Sequence, residues 1–333
     1  MKIVFYSPNF YPLVGGLENV VMDLAVELSR RNHDVRVLTL TLSSGTDSFP
    51  FELVRGFTFV EAVRHINWGD VFVQFNISLK GILPWLFTSR PLVATHHNLY
   101  PNKSITGWLK KVVARRLANV NTGCSQFIAA HYHQGIVLPN PYNEQVFEQT
   151  KSEKQEGSIV FLGRLVSDKG CSIVLDALGQ LNRNTALKPY LTIVGDGPEK
   201  DLLIQKTDDL GLQGQVRFAG TVVGKPLASL LQEQQIMVVP SAYQEPFGIV
   251  ALEGIASSCF VIGSDTGGLP EAIGPCGVTF RMGNVSELTS LLEKALTDHD
   301  WRVGHLTGTD NHLWPHRRSA MADRFLDIVN VLV

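Results

Sequence analysis

EQTKSEKQEGSIVFLG, residues 148–163, joins a polar run to a short apolar strand that ends in glycine. The polar part, EQTKSEKQEGS (148–158), has no apolar positions at helix or strand spacing, so it reads as an interdomain linker. The apolar part, SIVFLG (158–163), is a continuous run of the kind that forms a strand buried on both faces. A domain is therefore expected to end near residue 150 and another to begin at 151.

Outward from this junction the same alternation runs both ways. Toward the C-terminus come a helical stretch at about 170–183, YLTIVG (190–195), a helix at about 198–210, QVRFAG (215–220), IMVVP (236–240), a helix from about 247 and CFVIG (259–263). Toward the N-terminus lie GIVLP (135–139), PLVATH (91–96), DVFVQF (70–75), DVRVLTL (34–40), a helical pattern over Leu17–Arg31 and KIVFY (2–6). The stretch 41–60 has little periodicity and is read as loop plus one weak strand. Apolar runs separated by helices predict parallel sheets covered on both faces. Two such series predict an α/β protein with two Rossmann-like doubly wound domains facing each other, with ligand chemistry at the carboxyl ends of the strands.

At 333 residues each half can bury its own core. No apolar run reaches the length of a membrane span. MKIVFYSPNF reads as a first strand rather than a signal-peptide core. Cys124, Cys171, Cys259 and Cys276 have no paired spacing, which fits a reducing cytoplasm and neither a disulfide framework nor a zinc site. Residues 1–150 carry 13 Lys/Arg against 10 Asp/Glu, and the rest 16 against 21. Neither half is basic enough to make nucleic acid the expected partner.

Several strand ends carry residues with chemistry. Gly15-Gly16 stands before a helix, where bare backbone N–H groups suit a phosphate, although a glycine pair serves a tight turn equally well. It lacks the G-x-G-x-x-G spacing of a dinucleotide site. GRLVSDKG (163–170) offers Arg164 and Lys169 in a strand-to-helix loop, either as cations for a departing diphosphate or as solvated charges. GDGPE (195–199) combines Gly195 and Gly197 with Pro198 at a helix start, which is turn chemistry with or without a ligand. In VVPSAYQEPFGIVALEGIASS (238–258), Glu245 is expected in a loop and Glu253 about two turns inside the next helix. A carboxylate in IVALEGIA needs partners, and either sugar hydroxyls or a structural salt bridge would serve. Gly267-Gly268 is a further turn before a helix. His96 and His97 leave a strand, as site residues or as satisfied core histidines.

In combination these segments resemble the retaining nucleotide-sugar glycosyltransferases of family 4, which have the GT-B architecture. The resemblance rests on Gly15-Gly16-Leu17-Glu18, Leu138-Pro139-Asn140-Pro141 with Phe147, Gly163-Arg164-Leu165 with Lys169-Gly170, Gly195-Asp196-Gly197-Pro198, Phe218 with Gly220, and above all Glu245-Pro246-Phe247-Gly248 with Glu253. Trp314 and the helix to Val333 resemble the family's terminal helix, which implies domains over 1–150 and 151–313 and a segment 314–333 crossing back. The resemblance implies transfer of a hexose-type sugar from a UDP- or GDP-sugar to a hydroxyl of a glycan or lipid-linked acceptor, with retention of configuration. No metal or cofactor is implied, and the chain has no Asp-x-Asp motif. Arg164 and Lys169 would hold the diphosphate, Glu253 the ribose and Glu245 the donor sugar. The amides of Phe247, Gly248 and Ile249 would face the sugar and β-phosphate, Gly195 would line the donor site, and Gly15-Gly16 would touch the phosphates. The family histidine aligns with His97, with His96 as fallback; Asn98 stands where the family has Asp. A GT-B epimerase or phosphorylase and a non-catalytic relative are the alternatives, the latter disfavoured because Arg164, Lys169, Glu245 and Glu253 are all present.

NKSITGWLKKVVARRLANV (102–120) carries Lys103, Lys110, Lys111, Arg115 and Arg116 with no acid, and Trp108, Leu109, Val112, Val113 and Leu117 near helical spacing. It reads either as a domain helix with a solvated basic face or as a surface for an anionic membrane. The second reading would place the protein at the inner face of the plasma membrane.

Overall fold

The computed structural model describes residues 1–13, 15–43, 45, 48–101, 104–147 and 153–333. The chain forms two compact units, Met1–Pro141 with Pro315–Val333, and Tyr142–Trp314.

The first unit is built on a sheet of β1 (Lys2–Tyr6), β2 (Asp34–Thr39), β3 (Glu52–Arg55), β4 (Val71–Phe75), β5 (Leu92–His96), β6 (Val120–Gly123) and β7 (Ile136–Val137). Its order is β3-β2-β1-β4-β5-β6-β7, and every pairing is parallel. β4 and β5 are buried at every position, as strands covered on both faces must be. β3 is the weak strand expected within 41–60. β6 carries no apolar run, because its central residues, Asn121 and Thr122, are buried polar groups. Asn121 is tolerated there because its side chain bonds His96 Nε2 at 3.0 Å and the Ala114 carbonyl at 2.9 Å.

The second unit holds β8 (Ser158–Leu162), β9 (Tyr190–Val194), β10 (Val216–Gly220), β11 (Ile236–Val239), β12 (Phe260–Ser264) and β13 (Gly277–Phe280), in the order β10-β9-β8-β11-β12-β13. It too is parallel throughout. In β13 only Gly277 and Phe280 are buried, too little for a sequence signal. Of the polar segment 148–158, residues 148–152 lie outside the described residues. The remainder is pinned to the second unit: Lys154 Nζ donates to the Ser257 carbonyl at 2.6 Å, and the Gln155 amide to the Glu233 carbonyl at 2.8 Å.

The final helix, Arg318–Val329, belongs to the first unit. Met321, Ala322, Phe325, Ile328 and Val329 form its buried face, and Phe325 meets Phe5 of β1 edge-on at 5.8 Å. Arg31, at the end of helix Gly16–Arg30, donates to Asp323 at 2.5 Å and to the Ser319 carbonyl at 2.8 Å. Arg318 pairs with Asp23 at 3.4 Å. A Phe325→Ala substitution is expected to destabilise the first unit by about 3–5 kcal/mol. Denaturant unfolding followed by near-UV dichroism would measure it.

Candidate active site

In an open parallel sheet, the loops beside the strand where the order reverses splay apart and leave a crevice. In the second sheet that point lies between β8 and β11. The loop after β8 carries Arg164 and Lys169, and the loop after β11 carries Ser241, Tyr243 and Glu245. A backbone bond ties the two together, the Ala242 amide donating to the Asp168 carbonyl at 2.7 Å.

Lys169 and Glu245 meet across this point. Lys169 Nζ donates to Glu245 Oε1 at 2.5 Å, and Ser241 Oγ donates to the same oxygen at 2.7 Å. The Tyr243 hydroxyl donates to Oε2 at 2.5 Å, and Lys169 also lies 3.2 Å from that hydroxyl. Glu245 is buried, so its charge depends on these donors. Arg164 is solvent-exposed, and its charge is close enough to Tyr243 to act on the phenol. Lys169, Ser241, Tyr243 and Glu245 thus form one hydrogen-bonded cluster, with Arg164 in the loop that carries Lys169.

Two further loops support it. The Gly268 amide donates to the Glu245 carbonyl at 2.7 Å, which holds the loop after β12 against the glutamate. Gly195, at φ +138°, lets the loop after β9 close on the loop after β8: a Cβ there would strike the Gly163 carbonyl oxygen. A separate depression of about 320 Å³ opens nearby, lined by Ser167, Gly170, Ile173, Glu199, Leu202 and Lys206 among others. Its lining includes none of Arg164, Lys169, Glu245 or Glu253.

Gly248, at φ +116°, ends the Glu245 loop and starts helix Ile249–Ala256 without a side-chain cap. The amides of Gly248 and Ile249 have no protein acceptor among the described residues, whereas Phe247 is buried. The late helix start puts Glu253 just over one turn inside, rather than two. Burial pushes its carboxyl up to about 8, and no partner for it exists among the described residues.

In the first unit, Gly15 and Gly16 occupy the N-cap and first position of helix Gly16–Arg30, which has no side-chain cap. Gly15 has φ −162°, ordinary extended backbone. His96 is fully buried, with Nδ1 3.0 Å from the Tyr100 hydroxyl, Nε2 3.0 Å from Asn121 Oδ1 and its ring stacked 3.5 Å from Tyr132. Both ring nitrogens are engaged, so His96 serves the core. His97 follows β5 with its backbone amide on Asn76 Oδ1 at 2.8 Å and its ring 6.0 Å from Phe75. Burial, with His96 beside it, pushes His97 down to about 3, so its imidazole is neutral at physiological pH. Asn140, the neighbour that weakly opposes this, accepts from His316 through its carbonyl at 3.0 Å, where the chain re-enters the first unit.

Residues 142–303 match the family described as "Glycosyl transferases group 1", and residues 14–143 the one described as "Glycosyltransferase Family 4". The chain belongs to the family 4 glycosyltransferases. It is 25% identical to the glycogen synthase of Mycobacterium tuberculosis over 90% of this chain and 86% of that one. It is also 25% identical to D-inositol 3-phosphate glycosyltransferase of Gordonia bronchialis over 93% and 83%. HepE of Anabaena, crystallised with UDP and with UDP-glucose, shares the GT-B fold at 20% identity. Its UDP complex superposes with a TM-score of 0.85 over the whole of both chains.

Two residues that bind Glu245 in this glycosyltransferase, Ser241 and Tyr243, were not singled out from the sequence. Both precede the Glu-Pro-Phe-Gly segment, and the available signal was their place at a strand end before a carboxylate that requires donors. The pH dependence of stability follows from Glu253. Between about pH 4.5 and 8 the folded protein keeps a proton that the unfolded chain has released, so this group makes stability fall as pH rises through that window. Glu253→Gln is expected to flatten that slope and raise Tm at pH 8 relative to the parent, in scanning calorimetry from pH 5 to 9.

Proposed function

We propose that this glycosyltransferase moves a hexose-type sugar from a UDP- or GDP-sugar to a hydroxyl of a glycan or lipid-linked acceptor, with retention of configuration and without a metal. The observation that carries this reading is the Lys169–Glu245 pair at the strand-order reversal, where a cation for a diphosphate and an acid for sugar hydroxyls stand 2.5 Å apart. Binding of UDP and UDP-glucose by HepE supports the same donor class.

In the proposal, Arg164 and Lys169 take the diphosphate and supply the positive charge that a divalent cation supplies elsewhere. Uncapped amides at Gly248 and Ile249, with that of Phe247, add N–H groups for the β-phosphate and sugar. Glu245 accepts donor-sugar hydroxyls, Glu253 accepts those of the ribose, and Gly195 lines the donor site by letting its loop sit close against Gly163. His97 and the Gly15-Gly16 turn are assigned to the sugar and phosphates, His97 as a neutral hydrogen-bonding group. The bond from the anomeric carbon to the phosphate oxygen breaks as the acceptor oxygen bonds that carbon on the same face. The acceptor proton passes to a phosphate oxygen, and developing negative charge falls on Arg164 and Lys169.

A membrane role is part of the proposal. The basic stretch forms helix Ile105–Arg116, on which Ile105 and Trp108 are 80% and 60% exposed while Val113 and Ala114 face the core. Lys103 lies outside the described residues. No helix among those residues is long and apolar enough to cross a membrane. Exposed apolar side chains flanked by Lys110, Lys111, Arg115 and Arg116 suit contact with an anionic bilayer at the cytoplasmic face. Trp108→Ala with Arg115→Ala and Arg116→Ala is expected to abolish co-sedimentation with phosphatidylglycerol vesicles at low salt; no binding by the parent protein would remove the membrane role.

A thermal-shift panel of nucleoside diphosphates and nucleotide sugars tests the donor. A ligand at a hundred times its Kd stabilises by about 2.7 kcal/mol, which selects base and sugar. Glu245→Gln is expected to lower kcat/KM about 10- to 100-fold, the loss of a charged hydrogen bond to the reacting sugar. Conversion of the donor sugar without acceptor would identify an epimerase, and no stabilisation by any nucleotide would overturn the reading.

A further inference from the structure

We propose that Tyr243 is a positioning residue: its hydroxyl fixes the Glu245 carboxylate so that one lone pair of Oε2 is left for a hydroxyl of the donor sugar. The inference rests on Glu245 being the sugar-binding acid of the proposed reaction.

The hydrogen-bond inventory of the carboxylate carries it. A carboxylate has about four acceptor positions, two on each oxygen. Lys169 and Ser241 occupy both on Oε1, at 2.5 and 2.7 Å. Tyr243 occupies one on Oε2, at 2.5 Å, and no other donor reaches that oxygen among the described residues. One acceptor position therefore stays open, and its direction is set by the phenol on the other side.

Tyr243 is suited to this task. Its hydroxyl accepts from Lys169 at 3.2 Å and donates to Glu245, so it links cation and acid in a closed triangle. The ammonium also lies 5.1 Å from the ring centroid, which holds the aromatic plane. Burial raises the phenol, and the neighbouring Glu245 charge raises it further, so the hydroxyl keeps its proton and acts only as donor toward the acid. Lys169 has three N–H donors, of which Glu245 and Tyr243 take two, leaving one for a phosphate oxygen. Held by two donors on Oε1 alone, the carboxylate could turn about that oxygen and carry Oε2 with it. Tyr243 is the brake.

Tyr243→Phe removes the hydroxyl, and with it the hydrogen bond from Lys169, while keeping the ring, its packing and its cation–π contact with Lys169. The test is calorimetric titration of parent and variant with UDP, GDP and the nucleotide sugar selected by thermal shift, together with steady-state kinetics. For Tyr243→Phe, Kd for the nucleoside diphosphate should stay within about twofold, while affinity for the nucleotide sugar and kcat each fall about 10-fold, as for one hydrogen bond to a charged group. Melting temperature should fall by a few degrees, as for one donor lost from a buried acid, and Tyr243→Phe should have no further effect on kcat in a Glu245→Gln background, since the two act as a unit. Parental kcat and sugar affinity in Tyr243→Phe would overturn the role of Tyr243 and leave the donor assignment standing. Equal weakening of diphosphate and nucleotide sugar would overturn it too, by making Tyr243 a general support. If the parent binds neither nucleoside diphosphates nor nucleotide sugars, the functional reading itself falls and this inference with it.

Discussion

A single ion pair, Lys169 with Glu245, organises the second unit's strand ends. Parallel strands deliver their loops to one edge, and where the order turns from β8 to β11 nothing in the sheet holds those loops together. The pair does so, at 2.5 Å, together with the backbone bond from Ala242 to Asp168, and Ser241 and Tyr243 complete the acid's shell. An acid this buried is tolerable only because of that shell, since removing one partner of a buried pair leaves an uncompensated charge. The same shell holds the ammonium and carboxylate side by side, where a ligand with phosphate at one point and hydroxyls at another can meet both.

Glu253 stands in the opposite condition. Helix Ile249–Ala256 packs its buried residues against β11 and β12, and the glutamate rides at the edge of that apolar surface without a partner among the described residues. Its carboxyl is therefore held in the acid form at neutral pH, and hydroxyl groups arriving there would draw it toward the carboxylate. Two glutamates eight residues apart thus sit in different surroundings: one has donors built around it and the other has none among the described residues.

The first unit also sets two adjacent histidines in different surroundings. His96, within β5, is committed on both nitrogens and stacked on Tyr132, whereas His97, one residue later, leaves the strand with a neutral ring against Phe75. Neighbouring side chains at the end of a strand point to opposite faces, so adjacent identical residues meet different neighbours. The last helix closes this unit from a distance of some 290 residues in sequence, through Arg31–Asp323 and Arg318–Asp23.

Local sequence by itself determined the strands with continuous apolar runs, the helices with 3.6-residue spacing, the doubly wound class and the residue types gathered at the strand ends, because burial periodicity and turn chemistry are written in consecutive residues. β6 and β13 escaped that reading: Asn121 and Thr122 are buried by virtue of distant partners, and β13 buries only its two ends. Which charges meet was also beyond it. Lys169 and Glu245 are 76 residues apart, and only the parallel sheet, by bringing β8 beside β11, decides that they touch. The choice of Ser241 and Tyr243 as the acid's donors, and the isolation of Glu253, follow from the same packing, since a carboxylate's charge state depends on the groups around it in space rather than in sequence.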